Sequence, residues 1–425
     1  MRKNSQDIIV RWCDTVIMTC LGATLFYLSM SIAIIEVTAV MMFVVWLFKR
    51  LYVYTTAEKK PTILKALAPV PTILNKPMWA MAAVILTGAF FSLDPAMSFT
   101  KLLSKYAQLM FTFFIFVETF DRPARLWGAV YCLLASLIPV IMDGVFQHIR
   151  GTSMIFHYTV ATGRLTSTFS HPNDLGTYLA AIFPVLVSLR NIALPNLLGK
   201  KIMRFLIFIL SLGTLFILAM TYSRAAWLAL FLSLILLGMK GKNIARGIFC
   251  ALIFVFCFIL FLPQAERTRS DITPVHHQNY GSFLSISSRL PYWSSALQVI
   301  EKYPLLGSGY NTYVLALEKF KLTPYEYAHN GYLQIAAETG LIGLGVFIWL
   351  IVNLFFGLNN ISSLTADPAL GKLLFGVSIG IFAFLTNSFF DTGFSSIQLS
   401  TMLWLLFGFS AAIRRIGLTV QTSQG

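Results

Sequence analysis

Apolar residues in this chain run in long unbroken stretches, not in the one-sided stripes of a soluble amphipathic helix. A helix of about 20 apolar residues spans the hydrocarbon core of a bilayer. Twelve stretches approach that length: 8–28, 31–49, 77–94, 99–119, 124–144, 173–190, 203–222, 225–240, 246–263, 331–356, 372–390 and 395–413. The pattern predicts an all-α integral membrane protein with about twelve transmembrane helices. The first two stretches meet tightly around residues 27–31. One connection, 264–330, is far longer than the others and mixed in polarity, and a shorter irregular stretch covers 145–172. The chain therefore divides into 1–263 with helices one to nine, the loop 264–330, and 331–425 with the last three helices and a tail. The start, Met1-Arg2-Lys3, leads into an apolar run with no small-residue cleavage site, which reads as a retained first helix.

Composition agrees with this pattern. The 425 residues are 57% hydrophobic and only 12% charged, with a mean hydropathy of +0.74. A soluble chain carries about a quarter charged residues, so soluble enzymes and disordered scaffolds are excluded. The net charge of +15 needs its distribution before it means anything. With the N-terminus cytoplasmic, roughly two-thirds of the 32 Lys and Arg fall on cytoplasmic connections. That bias puts both termini inside and the 264–330 loop outside. The positive charge then records orientation and implies no nucleic-acid partner. Lys101 and Lys105 are outliers at an outer helix start, expected to snorkel to the head groups. The five cysteines lie in or beside apolar runs without metal-ligand spacing.

Four segments concentrate polar residues, and this topology puts all four on the outer face. They are Gly163-Arg164 through His171-Pro172-Asn173-Asp174, Thr221-Tyr222-Ser223-Arg224, Ser288-Arg289 with Trp293 and then Pro304 to Gly309, and His329-Asn330 through Glu338-Thr339-Gly340. Arg224 has almost wholly apolar flanks, so its charge sits at the membrane boundary, where an ionisable group is by default a functional candidate. A planar guanidinium holds phosphate bidentately; the same residue also suits lipid phosphates. Arg164 and Arg289 follow the same logic from polar loops. His329 opens the tenth helix, and a neutral imidazole can take a proton from a sugar hydroxyl. Other apparent motifs carry little. Gly307-Ser308-Gly309 lacks the strand–turn–helix of a dinucleotide site, and His276-His277 are too close in sequence to share a metal. Asp391 stands as a single carboxylate at an outer helix end. The outer face thus offers arginines and a histidine with no metal cage, and no cofactor is expected.

Taken together in this order, the four segments resemble the O-antigen ligase/polymerase superfamily of polytopic bacterial glycosyltransferases, over roughly residues 100–410. The resemblance implies a GT-C-like fold in which the long periplasmic loop closes over the active site. It implies an undecaprenyl-pyrophosphate-linked glycan as donor, with lipid A-core as acceptor, or a second lipid-linked glycan if the chain is a polymerase. By similarity Arg224 and Arg289 bind the donor pyrophosphate, Arg164 adds a donor-side contact, and His329 is the general base. Asn330, Trp293 and His171 are expected to line the substrate site. Attack on the anomeric carbon without a metal would invert its configuration. Ligation onto lipid A-core in the bacterial inner membrane is the leading expectation and polymerisation its closest alternative. Protein O-oligosaccharyltransfer comes third, and transport is disfavoured because the ionisable residues gather at helix ends and not near the midplane.

Overall fold

The structure, a computed structural model, describes residues 2–57, 60–160, 163–190, 192, 199–240, 252, 289–356, 358, 364–365 and 367–422. Among them the chain is helical throughout, and the only β pairing is an isolated bridge between Thr152 and Thr159. Helices α1 (Arg2–Tyr27) and α2 (Ile32–Thr56) form an antiparallel hairpin. Ser31 caps α2, and a buried hydrogen bond of 2.8 Å joins Thr24 Oγ1 to Thr38 Oγ1 across the pair. There follow α3 (Ile63–Leu67), α4 (Asn75–Phe90), α5 (Pro95–Lys101), α6 (Gln108–Thr119), α7 (Pro123–Arg150), α8 (Pro172–Leu189), α9 (Lys200–Met220) and α10 (Arg224–Lys240). After the undescribed stretch come α11 (Leu290–Lys302), α12 (Tyr313–Lys319), α13 (Gly331–Phe355), α14 (Pro368–Asn387) and α15 (Ile397–Thr422).

This is an all-α membrane protein. Among the described residues, seven helices are long and apolar enough to cross a bilayer: those over Ile8–Tyr27, Ile32–Thr56, Pro123–Arg150, Lys200–Met220, Gly331–Phe355, Pro368–Asn387 and Ile397–Leu418. Of the other predicted stretches, 77–94, 173–190 and 225–240 correspond to helices of 16, 18 and 17 residues, and of 246–263 only residue 252 is described. The stretch 99–119 is not one regular helix: a π-helical turn, Leu102–Ala107, joins α5 to α6. Apolar content alone does not report such a turn, because it changes the hydrogen-bond spacing and not the polarity.

The core lies along α8, α14 and α15, all three mostly buried. Close approach of α8 and α14 depends on small residues, as packing between membrane helices generally does. A Cβ placed on Gly380 would lie 2.3 Å from the carbonyl oxygen of Ala181. At the end remote from the four polar segments, Arg414 donates to the carbonyls of Phe356 (2.9 Å) and Leu354 (2.6 Å), so a buried cation closes the C-terminus of α13. Lys49, Arg50, Asp14 and Glu118 form an ion-pair network at that same end, and Arg415 donates to Val117 beside it.

The opposite end carries the polar segments. Two buried side chains of α7 hold the irregular stretch that follows it. Asp143 Oδ1 accepts from the N–H groups of Met154 and Ile155, and Gln147 Oε1 accepts from those of Thr166 and Ser167. Within the predicted loop 264–330, residues 264–288 lie outside the described residues. The remainder is not irregular: α11 and α12 pack on the start of α13 around a second small core of Ala296, Val299, Tyr313, Leu317 and Ala328. Lys105 departs from the snorkelling expectation. Its ammonium group turns to the carbonyl oxygen of Ser395 at 3.1 Å, on the turn between α14 and α15.

Candidate active site

Helix α13 begins at Asn330, whose Oδ1 accepts from the N–H groups of Tyr332 (3.0 Å) and Leu333 (3.1 Å). Asparagine is among the best N-cap residues for this reason. Gly331 donates to the carbonyls of Ser388 (2.8 Å) and Asp391 (3.1 Å). The start of α13 is thereby bolted to the turn after α14, and His329 is brought beside Asp391. The imidazole Nδ1 lies 3.9 Å from Asp391 Oδ1, and Nε2 lies 3.8 Å from Glu326 Oε2. Both are ion-pair distances just beyond hydrogen bonding. Tyr292 packs edge-on against the imidazole at 4.9 Å, and its hydroxyl donates to Glu326 at 3.4 Å.

Asp391 is the electrostatic hub. Its backbone receives Gly331, its Oδ1 accepts the Thr392 N–H at 2.8 Å, and its charge acts on His171, Asp174 and Arg289 as well as His329. Burial pushes its carboxyl up, but His329, the Thr392 N–H and His171 together outweigh burial and hold it below the ordinary carboxylate range. Arg289 stands just before α11, its guanidinium 5.8 Å from the ring of Phe390. Burial lowers its pKa, Asp391 opposes that, and the charge of Arg224 adds to it; a guanidinium stays protonated in proteins regardless. Arg224 opens α10 directly after the tight turn of residues 221–223.

His171 caps α8, its Nδ1 accepting the N–H of Asn173 at 3.2 Å. Desolvation lowers the pKa of this imidazole; Asp391 opposes the shift, and the charges of Arg164 and His329 add to it. Arg164 is a tie: its Nε donates to the Thr221 carbonyl at 2.7 Å and its guanidinium to Asn173 Oδ1 at 2.6 Å. It joins the 163–171 stretch to the turn that presents Arg224. Trp293, one turn into α11, has a buried indole N–H with no hydrogen-bond partner among the described residues, a donor in need of an acceptor.

The residues singled out by sequence thus gather at one end of the bundle. Arg289, Arg224, His329 and His171 face one electrostatic neighbourhood with Trp293 on the adjoining helix. Asn330 spends its side-chain oxygen on capping α13. Arg164 and His171 likewise use part of their hydrogen-bonding capacity on local structure. Sequence reasoning missed Asp391 and Glu326, the two carboxylates flanking His329. For the first, the sequence offers only a single carboxylate, directly after Phe389-Phe390 at the end of an apolar stretch. Chemically, two fixed cations can hold a diphosphate, and an imidazole backed by a carboxylate can accept a proton.

Parts of this chain are similar to known proteins. Residues 206–348 match the family model described as O-Antigen ligase, an interval that contains Arg224, Arg289, Trp293, His329 and Glu338. A ComP-specific O-oligosaccharyltransferase of Acinetobacter baylyi is 26% identical over 218 residues, covering 48% of this chain and 38% of that protein. The exopolysaccharide production protein ExoQ of Rhizobium meliloti is 29% identical over 114 residues, covering 24% of this chain and 26% of that protein. The matches therefore span well under half the length of either relative. Over residues 206–348, which carry Arg224, Arg289 and His329, this chain is thus similar to the O-antigen ligase-like superfamily.

Proposed function

We propose that this chain is an O-antigen ligase, transferring an undecaprenyl-pyrophosphate-linked glycan to lipid A-core at the periplasmic face of a bacterial inner membrane. The observation that carries the proposal is the meeting of Arg224, Arg289, His329 and Asp391 at one end of the bundle. In this reading His329 takes the proton of the acceptor hydroxyl, and the freed oxygen attacks the anomeric carbon. The bond from that carbon to the pyrophosphate breaks, and undecaprenyl pyrophosphate leaves with the charge. Arg224 and Arg289 stabilise that developing charge, as fixed donors in a site shielded from water do effectively. Asp391 orients the imidazole and stabilises it once protonated, the role a carboxylate plays behind a catalytic histidine. Attack opposite the leaving group inverts the anomeric configuration, and no metal takes part. Trp293 offers its indole face and free N–H to the glycan.

The topology belongs to the same proposal: about twelve spans in a GT-C-like arrangement, both termini cytoplasmic, with residues 264–330 over the site on the periplasmic side. The charge bias along the sequence supports it.

Two relatives favour other acceptors. The name ExoQ favours a polymerase that extends one lipid-linked glycan with another, and the O-oligosaccharyltransferase favours a protein acceptor. All three readings share the donor half of the site. The test is reconstitution with purified lipid-linked glycan and each acceptor in turn. Sugar appearing on lipid A-core supports the ligase; sugar appearing only on a second lipid-linked glycan or only on protein replaces it with that reading.

A further inference from the structure

His329 holds a backbone conformation that a residue with a Cβ disfavours, with φ of 46° in the left-handed region. Such a conformation persists only where the surroundings impose it. On the C-terminal side, the Asn330 cap and the Gly331 hydrogen bonds do so. On the N-terminal side, the N–H of buried Ala328 donates to Oε1 of Gln334 at 3.1 Å, one turn into α13. The Nε2 of Gln334 donates to Glu338 Oε1 at 2.7 Å, and Glu338 Oε2 accepts the N–H of Asn311 at 2.8 Å. The order of donors fixes the amide: its oxygen must face Ala328 and its nitrogen the carboxylate.

We infer that Gln334 and Glu338 are positioning residues for His329, holding its backbone so that the imidazole faces both Asp391 and the incoming hydroxyl. The inference rests on the reading of His329 as the general base. The same pair ties that aim to the segment before α12, since Asn311 is the far end of the chain of bonds. A carboxylate and an amide in this nearly dry place cost desolvation, which their mutual hydrogen bonds offset. An apolar pair of similar size would pack as well but would leave the Ala328 N–H without an acceptor and His329 free to relax to an ordinary φ. Neither side chain is assigned any contact with donor or acceptor.

The test uses the full chain reconstituted with lipid-linked glycan and acceptor, with folding checked by size-exclusion elution. Gln334→Met keeps the volume and removes the acceptor. Its kcat should fall about ten- to a hundredfold, the cost typical of a misplaced catalytic group, while the donor KM stays within about twofold. In a His329→Ala background the same substitution should change the residual rate less than about twofold, since residues that act through one group are not additive. Glu338→Gln, which leaves one of the two donors unmatched, should behave alike and serves if Gln334→Met does not fold. Wild-type kcat in either folded variant overturns the inference. So does an equal loss with and without His329, which would mark a general role in packing. If His329→Ala itself transfers at the wild-type rate, the general-base reading fails first, and the two failures are thereby told apart.

Discussion

His171 caps α8 through the lone pair on Nδ1, available only while that nitrogen carries no proton. Its pKa in the folded chain lies below the ordinary value of 6.5, so the unfolded chain takes up the proton first as pH falls. The cap's contribution is therefore complete above about pH 6.5 and is lost between there and the lower native value. Melting temperature in detergent should drop from pH 7.5 to 5.5, and His171→Asn, which caps without titrating, should flatten that drop. An unchanged slope would remove His171 as its source. Asp391 behaves differently. Its folded pKa lies below the ordinary 3.8, so its stabilising effect is present above about pH 3.8 and lost only as the pH falls further. Asp391→Asn should therefore lower the melting temperature at both pH 5.5 and pH 7.5, and should cut transfer by removing the partner of His329. The arginines and histidines of this site were legible from residue type and context. Asp391 was not, because one carboxylate at a helix end looks like any other until the fold brings His329 to 3.9 Å from it.

Helix α13 carries a break that its apolar sequence conceals. Gly340 has φ 71° and ψ −179° within the helix, and the chain of residues 304–309 lies against the break. Leu341 donates to Pro304, Ser308 to Ala337 and Gly309 to Glu338, so the backbone groups freed at the break find partners. A Cβ at position 340 would sit 2.0 Å from the carbonyl oxygen of Leu305. Gly340→Ala should therefore cost stability, on the order of 1–3 kcal/mol for the backbone conformation alone, and should loosen the 303–312 segment. Gly345 is the control: a Cβ there meets nothing within 4 Å, and Ala suits a helix interior better by about 1 kcal/mol. Denaturation of the two variants decides the matter, and equal stability would contradict the account of the break. Most helices were legible as apolar runs; the break, the π-helical turn and the short α11 and α12 were not. Each depends on where hydrogen bonds go once the chain is packed, which hydropathy does not encode.

Across the molecule, charge and site chemistry segregate to opposite ends. Arg414, Arg415 and the Lys49–Arg50–Glu118 network mark one end, and the His329 cluster marks the other. If the first end is cytoplasmic, a cysteine at exposed Leu64 should resist a membrane-impermeant maleimide while one at exposed Leu305 reacts, in a background with the native cysteines replaced. The reverse labelling pattern would invert the topology. The sequence carries an expectation of orientation because Lys and Arg near helix ends vote on it, whereas the meeting of segments 163–174, 221–224, 289–293 and 329–330 needed the packing of α8, α13 and α14. The proposal stands or falls on one assay: glycan transfer from purified lipid-pyrophosphate donor by reconstituted wild-type, His329→Ala and Arg289→Ala chains. Wild type should transfer, with each variant folded and at least about a hundredfold slower, the range expected for general-base and charge-stabilising groups. Transfer by folded His329→Ala and Arg289→Ala at the wild-type rate would contradict it.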